Sequence, residues 1–363
     1  MIIWSYDDGY GDNKLTDGVT ELLIPSYIST FRARMKQEID PKNPPHPHDY
    51  IVIENEDGKK YLVGRGAVNQ DSKASAILGD NKHMDKRFPC MLKACLGLLA
   101  TTEDTFVDVL VMGLPVNAEE DPERHELLQN MVVGTHSFKL TLADGTELKR
   151  NIQIKELLIK KQPFGSQCDI MLDNEGELSN EDIAGGFNVI ADIGAGTFNV
   201  YTLNALEPVR DLSFNTNDGM FTAYDEVNET ILELTGSKVP DAKLPSICNP
   251  QDSDGKRLTP KIQGVSIEDA VEEAYDNLAN TCVGIIEKSC KNSWSLIKRI
   301  IWTGGGSQLL EEYIENYMPK RNKIFLDRFS TARGLRKVGV LHYKRSKAYK
   351  KTEKVQNKET SSV

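Results

Sequence analysis

One segment constrains the fold more than any other: Val189-Ile190-Ala191-Asp192-Ile193-Gly194-Ala195-Gly196-Thr197-Phe198-Asn199-Val200-Tyr201. Apolar β-formers run into a glycine turn and out again, which predicts two strands joined tightly, with Asp192 ending the first. Gly194 and Gly196 lack a Cβ, so the backbone N–H groups around Ala195 can close on a polyanion, and Thr197 adds a hydroxyl. A carboxylate beside phosphate requires an intervening cation, which points to hydrated Mg2+ reached by Asp192 through water. Taken alone, the segment reads equally well as a plain β-hairpin with an acidic turn.

The same grammar opens the chain. Ile2-Ile3-Trp4-Ser5-Tyr6-Asp7-Asp8-Gly9-Tyr10-Gly11-Asp12-Asn13-Lys14 is again an apolar strand entering Asp-x-Gly-x-Gly, followed by a lysine that can reach a phosphate oxygen as a mobile point charge. Two such hairpins suggest two halves of related design facing one ligand. A third piece, Lys298-Arg299-Ile300-Ile301-Trp302-Thr303-Gly304-Gly305-Gly306-Ser307-Gln308-Leu309-Leu310, reads as a buried strand, a glycine triplet and an amphipathic helix. A helix N-terminus with bare backbone attracts phosphate, whereas a flexible linker would not be bracketed by Ile-Ile-Trp and Leu-Leu.

The 363 residues suffice for two domains with full apolar cores. A net charge of −10 disfavours a broad nucleic-acid-binding face. No apolar run approaches the roughly 20 residues that span a bilayer, and the N-terminus reads as a first strand rather than a leader, so a cytoplasmic protein is expected. Cys90, Cys95, Cys168, Cys248, Cys282 and Cys290 form no Cys-x-x-Cys pair and read as reduced core thiols.

Along the first half, Glu21–Ser26 reads as a strand, and residues 36–49 as an exposed proline-rich loop in which His46 and His48 are solvated rather than metal-binding. Ile51–Ile53 and Tyr61–Val63 form a hairpin across Glu56-Asp57-Gly58. Phe88, Met91, Leu92, Cys95, Leu98 and Leu99 predict a helix, and Val107–Met112 a continuous central strand. Glu119–Glu123 starts another helix. A hairpin over Phe138–Leu142 and Leu148–Ile154 is expected to continue through Leu157-Leu158-Ile159 to Gln162-Pro163-Phe164-Gly165. Polar residues 173–186 form the expected domain boundary.

In the second half, Asn217-Asp218-Gly219 precedes a helix, residues 240–263 read as an irregular excursion, and Ser266 caps a long helix whose apolar stripe is core. Residues 344–363, with seven Lys/Arg against two Glu, read as a basic disordered tail.

Together the three glycine segments resemble the phosphate-1, phosphate-2 and adenosine motifs of the actin-like ATPase superfamily. Within it, Asp7-Asp8-Gly9-Tyr10-Gly11-Asp12-Asn13-Lys14, Gly113-Leu114-Pro115 and Ala332-Arg333-Gly334-Leu335 are similar to the ParM type, the plasmid-segregation filament proteins. The resemblance implies an α/β actin-like fold: two related domains, each a mixed sheet flanked by helices, with a nucleotide cleft between them. Domain I would span 1–186, with 325–343 packing back on it, and domain II 187–324. It implies Mg2+ and ATP as ligands, GTP being an open alternative. Gly9, Tyr10, Gly11, Asn13, Lys14, Gly194, Ala195, Gly196, Thr197, Gly304, Gly305 and Gly306 would contact the nucleotide, with Gly219 on its base or ribose side. Asp7 and Asp192 would hold the metal through water, and Gln162 would orient the attacking water, although Phe164 stands where a small residue is expected. The implied partners are further copies of the chain and a ParR-type DNA-binding adaptor, so that plasmid centromere DNA is touched only indirectly and no membrane is involved. A small-molecule kinase and a chaperone-like nucleotide switch share the motifs. No acceptor-side aspartate is evident for the first, and no substrate-binding β-domain follows residue 343 for the second.

Overall fold

The computed structural model describes residues 1–35, 46–55, 57–71, 74–77, 82–116, 121–252 and 254–360, with side chains to 348. Three sheets carry the fold. The first has five strands in the order Leu157–Lys161, Val109–Leu114, Ile3–Asp8, Asp12–Thr16 and Glu21–Pro25. Its central members are parallel, with Ile3 beside Val109 and Leu157 beside Leu110, and the N-terminal hairpin adds antiparallel strands. Ile3–Asp8 and Val109–Leu114 are buried throughout, as parallel strands covered on both faces must be. A seven-stranded sheet forms an outer lobe of the same half. The second half is organised by Phe187–Ile193, antiparallel to Phe198–Asn204 and parallel to Arg299–Thr303.

Helices cover these sheets with one apolar face each. Phe88–Leu99 turns Leu92, Cys95, Leu96 and Leu99 onto the core containing Tyr6, Leu110 and Met112. Met220–Thr235 and Glu268–Ser289 cover Ile193, Phe198 and Trp302 in the second core. Ser330–Thr360 returns to the first half and crosses helix Gln162–Met171. The crossing is close because both helices are bare there: a Cβ on Gly334 would sit 1.7 Å from the Gly165 carbonyl oxygen.

Several expectations need correction. Val107–Met112 is not one strand. The chain breaks at Asp108, whose carboxylate accepts from the Ile2 N–H, leaving Asp104–Val107 in the outer-lobe sheet and Val109–Leu114 in the central one. The strand after the second hairpin breaks likewise: Glu147–Ile154 and Leu157–Lys161 lie in different sheets. Both breaks follow from one requirement, that the chain pass between lobes while keeping its apolar residues buried on each side. The polar stretch 173–186 holds a short helix, Glu181–Ala184, capped by Asn180, and the excursion holds another, Leu244–Cys248. The basic segment expected to be disordered continues the last helix to Thr360. After Gly339 it contains no glycine or proline, and lysine, alanine and glutamine are good helix formers. Residues 36–45, Glu56, residues 117–120 and 361–363, on which parts of the expected loop, turn, helix start and tail fall, lie outside the described residues. His46 is described, and its ring accepts the His48 backbone N–H.

Candidate functional site: the cleft between two aspartate–glycine hairpins

In the first hairpin, register places Asp7 opposite Lys14, and the ammonium lies 3.0 Å from the Asp7 carboxylate with both groups largely buried. In the second, register places Asp192 opposite Asn199 and beside Thr303. That pairing delivers the glycine triplet to the carboxylate. Gly304 adopts φ +87°, and a Cβ there would lie 2.3 Å from Asp192 Oδ1 and 2.4 Å from the Ile193 carbonyl oxygen. Only glycine fits. The hairpin tips meet face to face: Gly11 backs onto Ala195, and Gly196 lies on the Tyr10 ring.

Between them opens a cleft of about 890 Å³. Asp7, Gly9, Tyr10, Gly11, Lys14 and Gln162 line it from one half, and Asp192, Gly194, Ala195, Thr197, Gly304, Gly305 and Gly306 from the other. Three expected contacts do not line it. The Asn13 amide is turned into the sheet, accepting from the Tyr6 hydroxyl and donating to the Ile24 carbonyl. Gly196 packs beneath Tyr10, and Gly219 backs onto the turn at Ala195–Thr197, where a side chain would strike the backbone at 2.6 Å. Their glycines and amide shape the hairpins rather than face the cavity.

Gln162 is the first residue of helix Gln162–Met171, directly after strand Leu157–Lys161. Its Nε2 donates to Asp7 Oδ1 at 2.9 Å and to the Asp8 carbonyl at 3.3 Å. With both amide hydrogens directed at the first hairpin, the carbonyl oxygen is the atom left to accept from water.

Electrostatics set the cleft apart. Burial, then the nearby Asp7 charge, pushes the Asp192 carboxyl up to about 7, with Lys14 opposing. Burial works against the Lys14 ammonium, but Asp7, Asp192 and Asp12 together raise it above its ordinary value, so it stays charged. Asn199, which lines the cleft, has a buried Oδ1 without a hydrogen-bond partner. Two converging carboxyl groups, an unpaired amide oxygen and bare backbone suit a hard cation that keeps most of its waters and shares phosphate oxygens. Among the described residues no cluster of three or more His, Cys, Asp or Glu offers a dedicated metal cage. The residues fit a hydrated Mg2+ bound with a polyphosphate.

A pH dependence follows. Because Asp192 holds its proton up to about 7 when folded and releases it near 3.8 when unfolded, the empty protein is stabilised by this group at low pH. That contribution falls as pH rises from the unfolded value through about 7, since the unfolded chain then binds fewer protons. Melting temperatures of the nucleotide-free protein at pH 5, 6, 7 and 8 should decline accordingly, more than those of an Asp192→Asn variant. Identical profiles for the two would remove Asp192 as the cause.

Sequence reasoning missed a buried group at the first hairpin. Lys82 Nζ lies 2.9 Å, and His83 Nε2 2.7 Å, from Asp8 Oδ2. Burial alone would raise Asp8, but Lys82 and then His83 hold it below the ordinary carboxylate range. Nothing local in the sequence links Lys82-His83 to a strand more than seventy positions earlier. Asn199 was also missed, although its register opposite Asp192 was implicit in the hairpin.

The chain matches two family models, "Actin like proteins N terminal domain" over residues 5–165 and "Archaeal actin homologue MreB-like, C-terminal" over residues 190–316. It is 25% identical over 330 residues to an archaeal actin homologue of Thermoplasma acidophilum, covering 88% of this chain and 92% of the relative. Among solved structures it superposes on an archaeal actin homologue in complex with ADP with a TM-score of 0.68 and 21% identity, covering 93% of this chain and 98% of the other. It also superposes on a 15-stranded ParM filament from Clostridium botulinum with a TM-score of 0.71 and 21% identity, over 93% and 99% of the two chains. With one model on each half and the hairpins of both halves closing a single cleft, the chain belongs to the actin-like proteins, and its fold is that of the ParM plasmid-segregation proteins and archaeal actin homologues.

Proposed function

We propose that this protein binds a magnesium nucleoside triphosphate, ATP in the first instance, hydrolyses it, and couples that cycle to assembly into filaments that segregate plasmid DNA through a ParR-type adaptor. The observation that carries the reading is the convergence of Asp7, Lys14, Asp192 and Gly304 on one cleft between two halves. Residues 1–186 with 325–343, and 187–324, are read as the two bodies that close on the nucleotide. The similarity to an ADP complex and to a ParM filament supports the ligand and the assembly in turn.

Backbone N–H groups around Gly9–Gly11 and Gly194–Thr197 would take the phosphate oxygens, and Lys14 would balance their charge. Asp7 and Asp192 would hold Mg2+ through water, and the cation would supply charge neutralisation to the phosphates. Gln162, fixed through its amide nitrogen by Asp7, would accept a hydrogen from the attacking water and align it.

Light scattering of micromolar protein should rise on addition of Mg-ATP and decay as phosphate is released. A flat trace alongside saturable nucleotide binding would sink the assembly half of the reading and leave the nucleotide half standing. Absence of binding to a fluorescent ATP analogue would sink both.

A further inference from the structure

The cleft is lined by a buried ammonium that the actin-like reading does not use. Lys82 lines it, yet the side chain is only 4% exposed and is committed to the first hairpin. Its Nζ donates to the Asp8 carbonyl oxygen, lies 2.9 Å from Asp8 Oδ2, and sits 4.7 Å above the Tyr10 ring centroid. The Asp8 carbonyl is shared, because Gln162 Nε2 donates to it at 3.3 Å while also holding Asp7 at 2.9 Å. Lys82 and Gln162 thus grip the same peptide unit, the one leading into Gly9. His83, packed edge-on to Phe88 at 4.8 Å, anchors the Asp8 carboxylate from the other side.

We propose that Lys82 is a positioning residue for hydrolysis: by clamping the Asp8–Gly9 peptide it sets the height and tilt of the Gln162 amide. The inference rests on the nucleotide-hydrolysis reading above and adds a residue to it. An ammonium whose donors are spent on Asp8 and whose charge that carboxylate balances is poorly placed to serve as a phosphate ligand, as Lys14 can. Its grip on the carbonyl is what a shorter or neutral side chain loses. Without it the peptide is held by the Gly9 N–H bond to the Asp7 carbonyl oxygen at 3.1 Å and by the 3.3 Å contact from Gln162. It can then tilt, and Gln162 keeps Asp7 while its second acceptor shifts. The effect should therefore appear in the rate of the chemical step and not in affinity.

Single-turnover hydrolysis and nucleotide binding should be measured for Lys82→Met, Lys82→Arg, Gln162→Ala and the double variant Lys82→Met/Gln162→Ala. For Lys82→Met the rate should fall about ten- to a hundredfold, as for loss of other supporting hydrogen bonds, with Kd changed by less than about threefold. Lys82→Arg, which keeps the charge and donors, should recover most of the rate. The double variant should be no slower than Gln162→Ala alone, because Lys82 acts through that amide. Where Lys82→Met fails to fold for want of a partner for Asp8, Asp8→Asn/Lys82→Met removes both charges and is read the same way. A rate within about twofold of the parent, losses that multiply in the double variant, or a tenfold rise in Kd at unchanged rate would each overturn the assignment. A parent protein that binds nucleotide but never hydrolyses it would defeat the hydrolysis reading first, and this inference with it.

Discussion

Gly334→Ala is expected to lower the stability of the protein sharply, against the usual effect of this substitution in a helix. In an open helix interior, glycine to alanine gains about 1 kcal/mol through backbone entropy. At Gly334 the new methyl would meet the Gly165 carbonyl oxygen at 1.7 Å and the Asp169 backbone nitrogen at 2.6 Å. Backbone atoms of a packed helix cannot swing aside as a side chain can, so the two helices must separate. Overpacking of this kind costs roughly 3 kcal/mol, the upper end of the usual range; net of the entropic gain about 2 kcal/mol is lost, a fall on the order of 4–8 °C in Tm for a domain of this size. Gly284, in helix Glu268–Ser289, provides the control, because a Cβ there meets nothing within 4 Å. Gly284→Ala should leave the protein as stable or slightly more so. Thermal melts of the two variants side by side check the claim, and equal melting temperatures would show that the crossing has slack that its geometry denies.

Gln162→Ala is expected to abolish most turnover while leaving nucleotide binding nearly intact. The side chain is 7% exposed, and its nitrogen is held by Asp7, so its oxygen has one direction in which to work. A water-orienting contact contributes about a hundredfold or more to the chemical step, whereas in the proposed binding mode the phosphates would be held by backbone and Lys14, which the substitution leaves in place. Gln162→Glu should be no rescue. It would set a second carboxylate against Asp7 where an N–H now donates. Phosphate release under saturating Mg-ATP, together with titration of a fluorescent nucleotide, separates the two effects. Unchanged release from Gln162→Ala would remove the residue from the reaction, and a large loss of affinity would make it a structural support for Asp7.

The two largest signals in the sequence, the hairpins at Asp7–Lys14 and Asp192–Asn199, were legible because each is local. Strand, turn and strand lie within a dozen residues, and glycine marks the turn without help from the rest of the chain. The same held for the helices at Phe88–Leu99 and Glu268–Ser289, whose apolar stripes repeat every three to four residues. Errors fell where a local pattern met a long-range demand. Val107–Met112 and Leu148–Ile159 looked continuous because hydropathy does not reveal that a chain is changing sheets. Residues 344–360 carry the charge pattern of a disordered tail, but their helix propensity is carried onward from a packed helix, which the local pattern does not show.

What the sequence by itself determined is the set of parts: two acidic glycine turns, a late glycine triplet, and the alternation of strands and helices that supports them. Only the tertiary structure decided which parts meet. The Cβ gap at Gly304 against Asp192, the Gln162 amide on Asp7, and the burial of Lys82 and His83 on Asp8 all join residues more than seventy positions apart. Such contacts depend on the register of strands and the crossing of helices, which are set by how apolar faces bury one another across the whole chain. A residue's own neighbours in sequence carry no record of them.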